Sequence, residues 1–301
     1  MDITNSIVNY KRFMKRRNYS THTVKNYRNT LSHFILWVNV PIEDVTNKKI
    51  LGYIDHLLEI RLKPKTVNCH LDSIRGFYDY LCSEEGIEIS NPVKKGYVLR
   101  LPRPLPRHLR DEEVDAFFNV VKGPRDYAMF RVMLRCGLRV EEISNLSLEA
   151  LYLKHRRILV HNGKGGKDRV VYISDDAYTA LVGYLRLRPP SRAKQVFLVE
   201  KGPYRGKPLS VRGIQKRMEY YACKTAFKIS CHDLRHTMAT QLLNAGMGLV
   251  SLQDLLGHDR VKTTERYSKV SNLKVMRDYF RAMEVVARRS GWELSGPKHP
   301  M

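Results

Sequence analysis

Carboxylates are scarce in this 301-residue chain: 30 Asp and Glu stand against 53 Lys and Arg, a formal net charge of +23. Like charge at that density adds nothing to folding. It points instead to a polyanionic partner, a nucleic acid or an anionic membrane surface. Cysteine is also sparse. Cys69, Cys82, Cys136, Cys223 and Cys231 are odd in number, scattered and never spaced C-x-x-C. Reduced, mostly buried thiols of a cytoplasmic protein fit this better than a disulfide frame or a zinc ribbon. No apolar run reaches the ~18 residues that a membrane-spanning helix needs. Residues 1–5 are neither basic nor followed by an apolar stretch, so a signal peptide is not expected. Internal repeats and low-complexity tracts are missing as well. What is plentiful is hydrophobic side chain, 43% of residues, enough to build real cores and to exclude a disordered polymer.

The pattern along the chain predicts a mainly α protein with a small β-sheet. Residues 1–100 read as a four-helix unit. A first helix falls within Ile7–Arg17. Thr21 can cap a second, with Val24, Tyr27, Leu31, Phe34/Ile35 and Val38 at three- and four-residue steps. Thr46 can cap a third, with Ile50, Tyr53/Ile54 and Leu57/Leu58 inward, and Pro64 precedes a fourth carrying Val67, Leu71, Ile74, Phe77/Tyr78 and Leu81. Residues 101–107, LPRPLPR, hold three prolines and cannot join a helix, so they predict a linker between domains. Residues 108–301 then form an α+β domain. It has helices at Asp111–Val121 and Asp126–Cys136 and a hairpin whose strands, Arg156–His161 and Val170–Ile173, flank the glycine-rich NGKGGKD turn. Gln195–Val199 reads as a third strand, and the chain is helical again from Val211 to about Arg289.

Several polar side chains occur where solvated charge is not expected. Arg139 follows an apolar helix and Gly137. His232 and Arg235, three apart, share a helix face. Lys164 sits at the tip of the glycine-rich turn. His258 ends Leu255-Leu-Gly-His258, and Tyr267 ends Thr263-Thr-Glu-Arg-Tyr267. Singly, each has a bland explanation: a structural ion pair, a plain turn, one tyrosine among 17. The turn is not a P-loop, because G-x-x-x-x-G-K-[ST] is not matched and a strand follows. His232 and His236 are four apart, as in zinc-binding H-E-x-x-H, but Asp233 replaces the glutamate and the cation of Arg235 lies between them, so a metal is not expected.

Taken together, the order Arg, Lys, His-x-x-Arg, His, Tyr resembles the tyrosine recombinase (phage integrase) family. The stretches that carry it are GLRVEE, NGKGGKDRVVYI, HDLRHTMATQLLNAG, LQDLLGH and TTERYSKV, across about residues 105–285. YSTHTVKNYRNTLSHF in the helical unit is similar to that family's core-binding domain. Two departures are mild: Ile143 after Glu142, where the family often has Leu, and Cys136 before Gly137 in place of Thr.

The resemblance implies a DNA strand-exchange enzyme that cuts and rejoins strands through a 3′-phosphotyrosine and a Holliday junction. Tyr267 would be the nucleophile, Arg139 and Arg235 the phosphate grip, His232 and His258 the phosphate hydrogen-bonding or proton-handling groups, and Lys164 the general acid. It implies no cofactor and no metal. The partners would be double-stranded DNA with inverted-repeat core sites and further copies of the chain, as a tetramer on two duplexes, with no membrane. Lys11, Arg12, Lys25, Arg28, Arg212 and Lys216 are candidate DNA-backbone contacts. The chain begins at the core-binding unit, which leans toward Xer-like or transposon-type members. The amphipathic stretch Asn272–Arg289, with Leu273, Met276, Tyr279/Phe280, Met283 and Val286, is expected to dock on a neighbouring protomer. The competing readings are type IB topoisomerase-like relaxation and a non-catalytic DNA-binding regulator on the same scaffold.

Overall fold

A computed structural model describes residues 3–101, 107–161, 168–257 and 268–289. Backbone contacts divide the chain into two compact units, Met1–Pro104 and Leu105–Met301.

The first unit holds α1 (Ile3–Arg16), α2 (Thr21–Val38), α3 (Asn47–Glu59) and α4 (Pro64–Ser83). Ser20, not Thr21, caps α2: its side chain accepts the Thr23 amide hydrogen, so the helix begins one residue after the cap. Thr46 caps α3 by accepting from the Lys49 amide. Pro64 is the first residue of α4, a position whose amide has no helical partner in any case. Val24, Leu31, Phe34, Ile50, Tyr53, Leu71, Ile74 and Phe77 are buried in one apolar core. Leu58 departs from the expected pattern and is 41% exposed, because Leu57 already points inward and the next position turns outward. The chain after α4 is strapped back onto it. The Asn68 side chain donates to the Leu99 carbonyl at 2.9 Å and accepts from the Leu99 amide at 2.8 Å.

The second unit holds α5 (Asp111–Val120), α6 (Pro124–Cys136), α7 (Val140–Asn145), β1 (Leu151–Tyr152), β2 (Arg157–Val160), β3 (Arg169–Tyr172), α8 (Asp175–Leu187), α9 (Val211–Ala222), α10 (Cys231–Asn244), α11 (Leu249–Leu256) and α12 (Ser268–Arg289). Central α6 is buried from Ala128 to Cys136 apart from Arg131, and packs against α8 and α10. On α6, Arg135 and Arg131 pair with Asp176 at the start of α8, at 2.7 and 3.3 Å.

The antiparallel sheet runs β1-β2-β3, with Ile158 opposite Val171 and Val160 opposite Arg169. The expected strand at Gln195–Val199 is not one. It makes only isolated bridges, Ser147 with Gln195 and Leu198 with Pro208. The third strand is the two-residue β1, too short to show a period. Of the five thiols only Cys136 is buried, which corrects the expectation of mostly buried cysteines.

The described part of the α12 stripe is packed within its own unit. Tyr279 is fully buried and donates to the Arg135 carbonyl at 3.2 Å, while Met283 and Val286 are buried beside it. Its amphipathic pattern is thus accounted for inside one chain. Among the described residues, no helix is long and apolar enough to cross a membrane.

Candidate active site

Ser230 and Asp233 form a reciprocal capping box that starts α10. Asp233 accepts from the Ser230 amide at 2.8 Å, and Ser230 accepts from the Asp233 amide at 3.4 Å. This places His232 in the open first turn and Arg235 one turn further in. His232 is exposed and meets the ring of His236 edge-on, with centroids 4.9 Å apart. Partial desolvation, His236 and Arg235 lower its pKa, so it is neutral near pH 7 and a ring nitrogen can accept a proton.

Arg235 is 4% exposed. Its guanidinium donates to the carbonyls of Gly137, at the end of α6, and Leu256, at the end of α11. Both helices close on a left-handed glycine: φ is +64° at Gly137 and +61° at Gly257. Their last carbonyls therefore converge with the negative ends of the helix dipoles aimed at one cation. A side chain at Gly137 would also meet Met238 Sδ at 3.0 Å and Leu256 Cδ2 at 3.1 Å.

Arg139 leads into α7 and shares the same carbonyl shelf. Its Nη2 lies 3.5 Å from the Leu256 oxygen and 3.3 Å from that of Gly257. Its Nη1 donates to Glu142 Oε1 at 2.8 Å, and its backbone amide to Glu142 Oε2 at 2.7 Å. Arg169, at the start of β3, grips both oxygens of Glu142 at 2.7 Å. Burial alone would raise the Glu142 carboxyl. Arg169 and then Arg139 outweigh it and hold the group down to about 2. Burial pushes Arg235 down to about 9, helped by Arg139 and Arg169 and opposed by Glu142. Arg235 keeps its charge at neutral pH, and the cluster has more cation than its one carboxylate can balance. Such a pocket favours an anion.

The structure thus brings Arg139, His232 and Arg235 together. Lys164, His258 and Tyr267 lie outside the described residues. Lys164 falls between β2 and β3, and His258 directly follows Gly257 in sequence. At the base of the hairpin, His161 Nδ1 and Asp168 Oδ2 are 2.9 Å apart.

The model of the phage integrase family matches residues 107–273, and that of the phage integrase N-terminal SAM-like domain matches residues 7–88. The chain belongs to the phage integrase family. It is similar to tyrosine recombinase XerC of Thermodesulfovibrio yellowstonii, 34% identical over 279 residues, 88% of this chain and 91% of the relative. It shares its fold with the Tn1549 transposon integrase in complex with circular intermediate DNA: TM-score 0.68, 20% identity, 93% of this chain and 98% of that one. A lambda integrase tetramer bound to a Holliday junction gives a TM-score of 0.67 at 14% identity, covering 87% of this chain and 78% of that one. This protein is a tyrosine site-specific recombinase, and DNA is its substrate.

Lys11 and Arg12 on α1, Lys25 and Arg28 on α2, and Arg212 and Lys216 on α9 are all exposed in the recombinase. Arg212 also pairs with Glu219 at 3.4 Å. Arg217, their neighbour on α9, is instead used internally: it donates to buried Asp126 at 2.7 Å and to the Tyr221 hydroxyl at 2.9 Å. Sequence reading missed Arg169 and the carbonyl shelf. The one signal was an arginine opening a β-branched strand whose neighbours, Val170 and Val171, face a core.

Proposed function

We propose that the recombinase cuts DNA with Tyr267 and holds the scissile phosphate with Arg139 and Arg235. The observation that supports this most is the carbonyl shelf, where both guanidiniums meet at Leu256 beside the accessible ring of His232. A phosphodiester resists attack because it is anionic and its alkoxide is a poor leaving group. Attack by the Tyr267 oxygen forms a bond to phosphorus while the bond from phosphorus to the 5′ oxygen breaks. The pentavalent transition state carries extra negative charge on its non-bridging oxygens, and two guanidiniums that stay protonated at neutral pH stabilise it. The phenol proton passes to a base, for which neutral His232 is suited, and Lys164 gives the departing 5′ oxygen its proton. His258 completes the hydrogen bonding to the phosphate. A 5′ hydroxyl of another strand then attacks the phosphotyrosine and frees Tyr267, so the bond energy is conserved and no nucleotide is consumed.

On this reading the first unit is a core-binding domain that contacts the duplex, residues 101–107 link it to the second, and the protein acts in the cytoplasm. It works on paired inverted-repeat core sites as a tetramer, through a Holliday junction. Exchange of α12 between identical copies would reproduce the contacts of Tyr279 while linking neighbours. The test is trapping of a covalent adduct on a nicked duplex recovered from a random pool by gel-shift selection. Tyr267→Phe loses only a hydroxyl and is expected to bind that duplex as the parent does while forming no adduct. An adduct with the Phe variant would overturn the nucleophile assignment. Relaxation of unselected supercoiled plasmid without strand exchange would point to topoisomerase chemistry instead.

A further inference from the structure

The Glu142 side chain is 8% exposed, and its two oxygens together accept four hydrogen bonds, two from Arg139 and two from Arg169. With Arg169 removed, that carboxylate would have Arg139 as its one guanidinium partner among the described residues. A buried carboxylate facing a single arginine draws it into a two-pronged pair and cancels its charge. With Arg169 in place, Arg139 gives the carboxylate one guanidinium nitrogen, Nη1. Its Nη2 makes only the two long carbonyl contacts, and its Nε makes no hydrogen bond among the described residues.

Arg169 makes a second kind of contact. Its Nε donates to the Leu255 carbonyl at 3.0 Å, in the last turn of α11. That turn supplies the shelf on which Arg139 and Arg235 rest. Gly257 is shaped to admit this side chain: a Cβ there would meet Arg169 Cδ at 3.0 Å, on a backbone with φ of +61° that side chains rarely adopt.

We infer that Arg169 is a positioning residue for strand cleavage: it occupies Glu142 so that Arg139 stays available to the phosphate, and it fixes the end of α11 against which both phosphate-binding arginines are set. The inference rests on the recombinase reading of the site. It joins β3, α7 and α11 through one side chain, and it assigns Gly257 the role of making room for it.

The test uses the full-length protein and the selected nicked duplex, carrying either a normal scissile phosphate or a neutral methylphosphonate there. Arg169→Gln is expected to bind the duplex within about twofold of the parent, since it adds no phosphate contact of its own. Adduct formation on the normal phosphate should fall about 10²-fold, the size of losing one transition-state donor. On the methylphosphonate the loss should shrink to about tenfold or less, because a misplaced Arg139 matters less when the oxygen it pairs with carries no charge. Arg169→Lys, which keeps the charge without the fork, should fall between, and Gly257→Ala should reproduce the Gln pattern. Rates are compared at a temperature where thermal melts show each variant folded, and Arg169→Lys serves alone if the Gln variant does not fold. Cleavage at the parent rate, or an equal loss on both substrates, would overturn the inference and leave Arg169 a purely structural ion pair. Failure of the parent protein to form any adduct would overturn the recombinase reading itself, and the inference with it.

Discussion

Asp176 and Glu142 are each gripped by two arginines, yet the two clusters serve opposite ends. Around Asp176 the carboxylate is saturated inside the protein, although the buried Arg131 Nε has no hydrogen-bond partner among the described residues. Arg135 and Arg131 pair with it, Ser174 donates to it at 2.5 Å, and the Ala177 amide donates at 2.9 Å. Arg131 lies over the Phe118 ring at 3.9 Å. Around Glu142 a third arginine has been added, and backbone carbonyls hold it in place. The first arrangement is a rivet between α6 and α8. The second leaves three guanidiniums against one carboxylate, and the imbalance is what an anionic substrate would relieve. Counting arginine–carboxylate pairs would not separate the two; the partners of each guanidinium do.

The sharpest way to break the contrast is a pair of substitutions. Arg235→Ala should slow adduct formation about 10²–10³-fold and lower the melting temperature less than Arg135→Ala does, although it leaves the Gly137 and Leu256 carbonyls a donor short. Arg135→Ala should do the reverse. It leaves Asp176 buried with one arginine fewer and should cost about 3 kcal/mol in denaturant unfolding, with near-parental cleavage by the protein that remains folded. Equal destabilisation by both would make the two clusters the same kind of object.

A second measurement separates cations that hold charge from one that gives up a proton. Lys164→Ala should slow cleavage about 10²-fold on ordinary DNA and recover on a substrate whose 5′ bridging oxygen is sulfur, because a thiolate leaves unprotonated. Arg235→Ala should not recover on that substrate. A Lys164 defect that is the same on both substrates would move Lys164 into the phosphate grip and make Lys167 the candidate acid.

The smallest effect belongs to exposed charges that the protein holds weakly, as Arg28 is held by Asn29 Oδ1 at 3.4 Å. Arg28→Ala and Lys216→Ala should each weaken duplex binding a few-fold and lower the slope of log affinity against log salt by about one. Cleavage of bound DNA should be unchanged. A cleavage defect from either would show that exposed charge also reaches the chemistry.

Much of this was legible in the residues, for reasons that can be named. Thr46 and Pro64 mark helix starts because capping is local chemistry, and the Ile50, Tyr53 and Leu57 spacing marks a face because the helical period is local too. The adjacency of His232 and Arg235 follows from the same period. Gln195–Val199 misled because Val196, Phe197 and Leu198 are all buried. A run with no exposed face can be an irregular segment threaded through a core, and here it is tied by the Val196 amide to the Leu146 carbonyl at 2.7 Å. The partnership of Arg169 with Glu142 and Leu255 spans 27 and 86 residues of sequence. No window of periodicity reaches that far, and Arg169 fell just outside the expected strand Val170–Ile173.

The carbonyl shelf has a consequence for when disorder is lost. A free arginine side chain samples many rotamers, and immobilising one costs on the order of 2 kcal/mol. Arg139, Arg169 and Arg235 are held by groups of the protein itself, Glu142 and the ends of α6 and α11. Their loss of freedom therefore falls on folding and is not repeated at each encounter with a site. On the proposed reading, exposed Lys11, Lys25 and Lys216 would follow the opposite schedule and be stilled at each encounter with the duplex. Binding measured by calorimetry is then expected to carry its conformational entropy penalty on the outer surface, with almost none from the proposed phosphate grip.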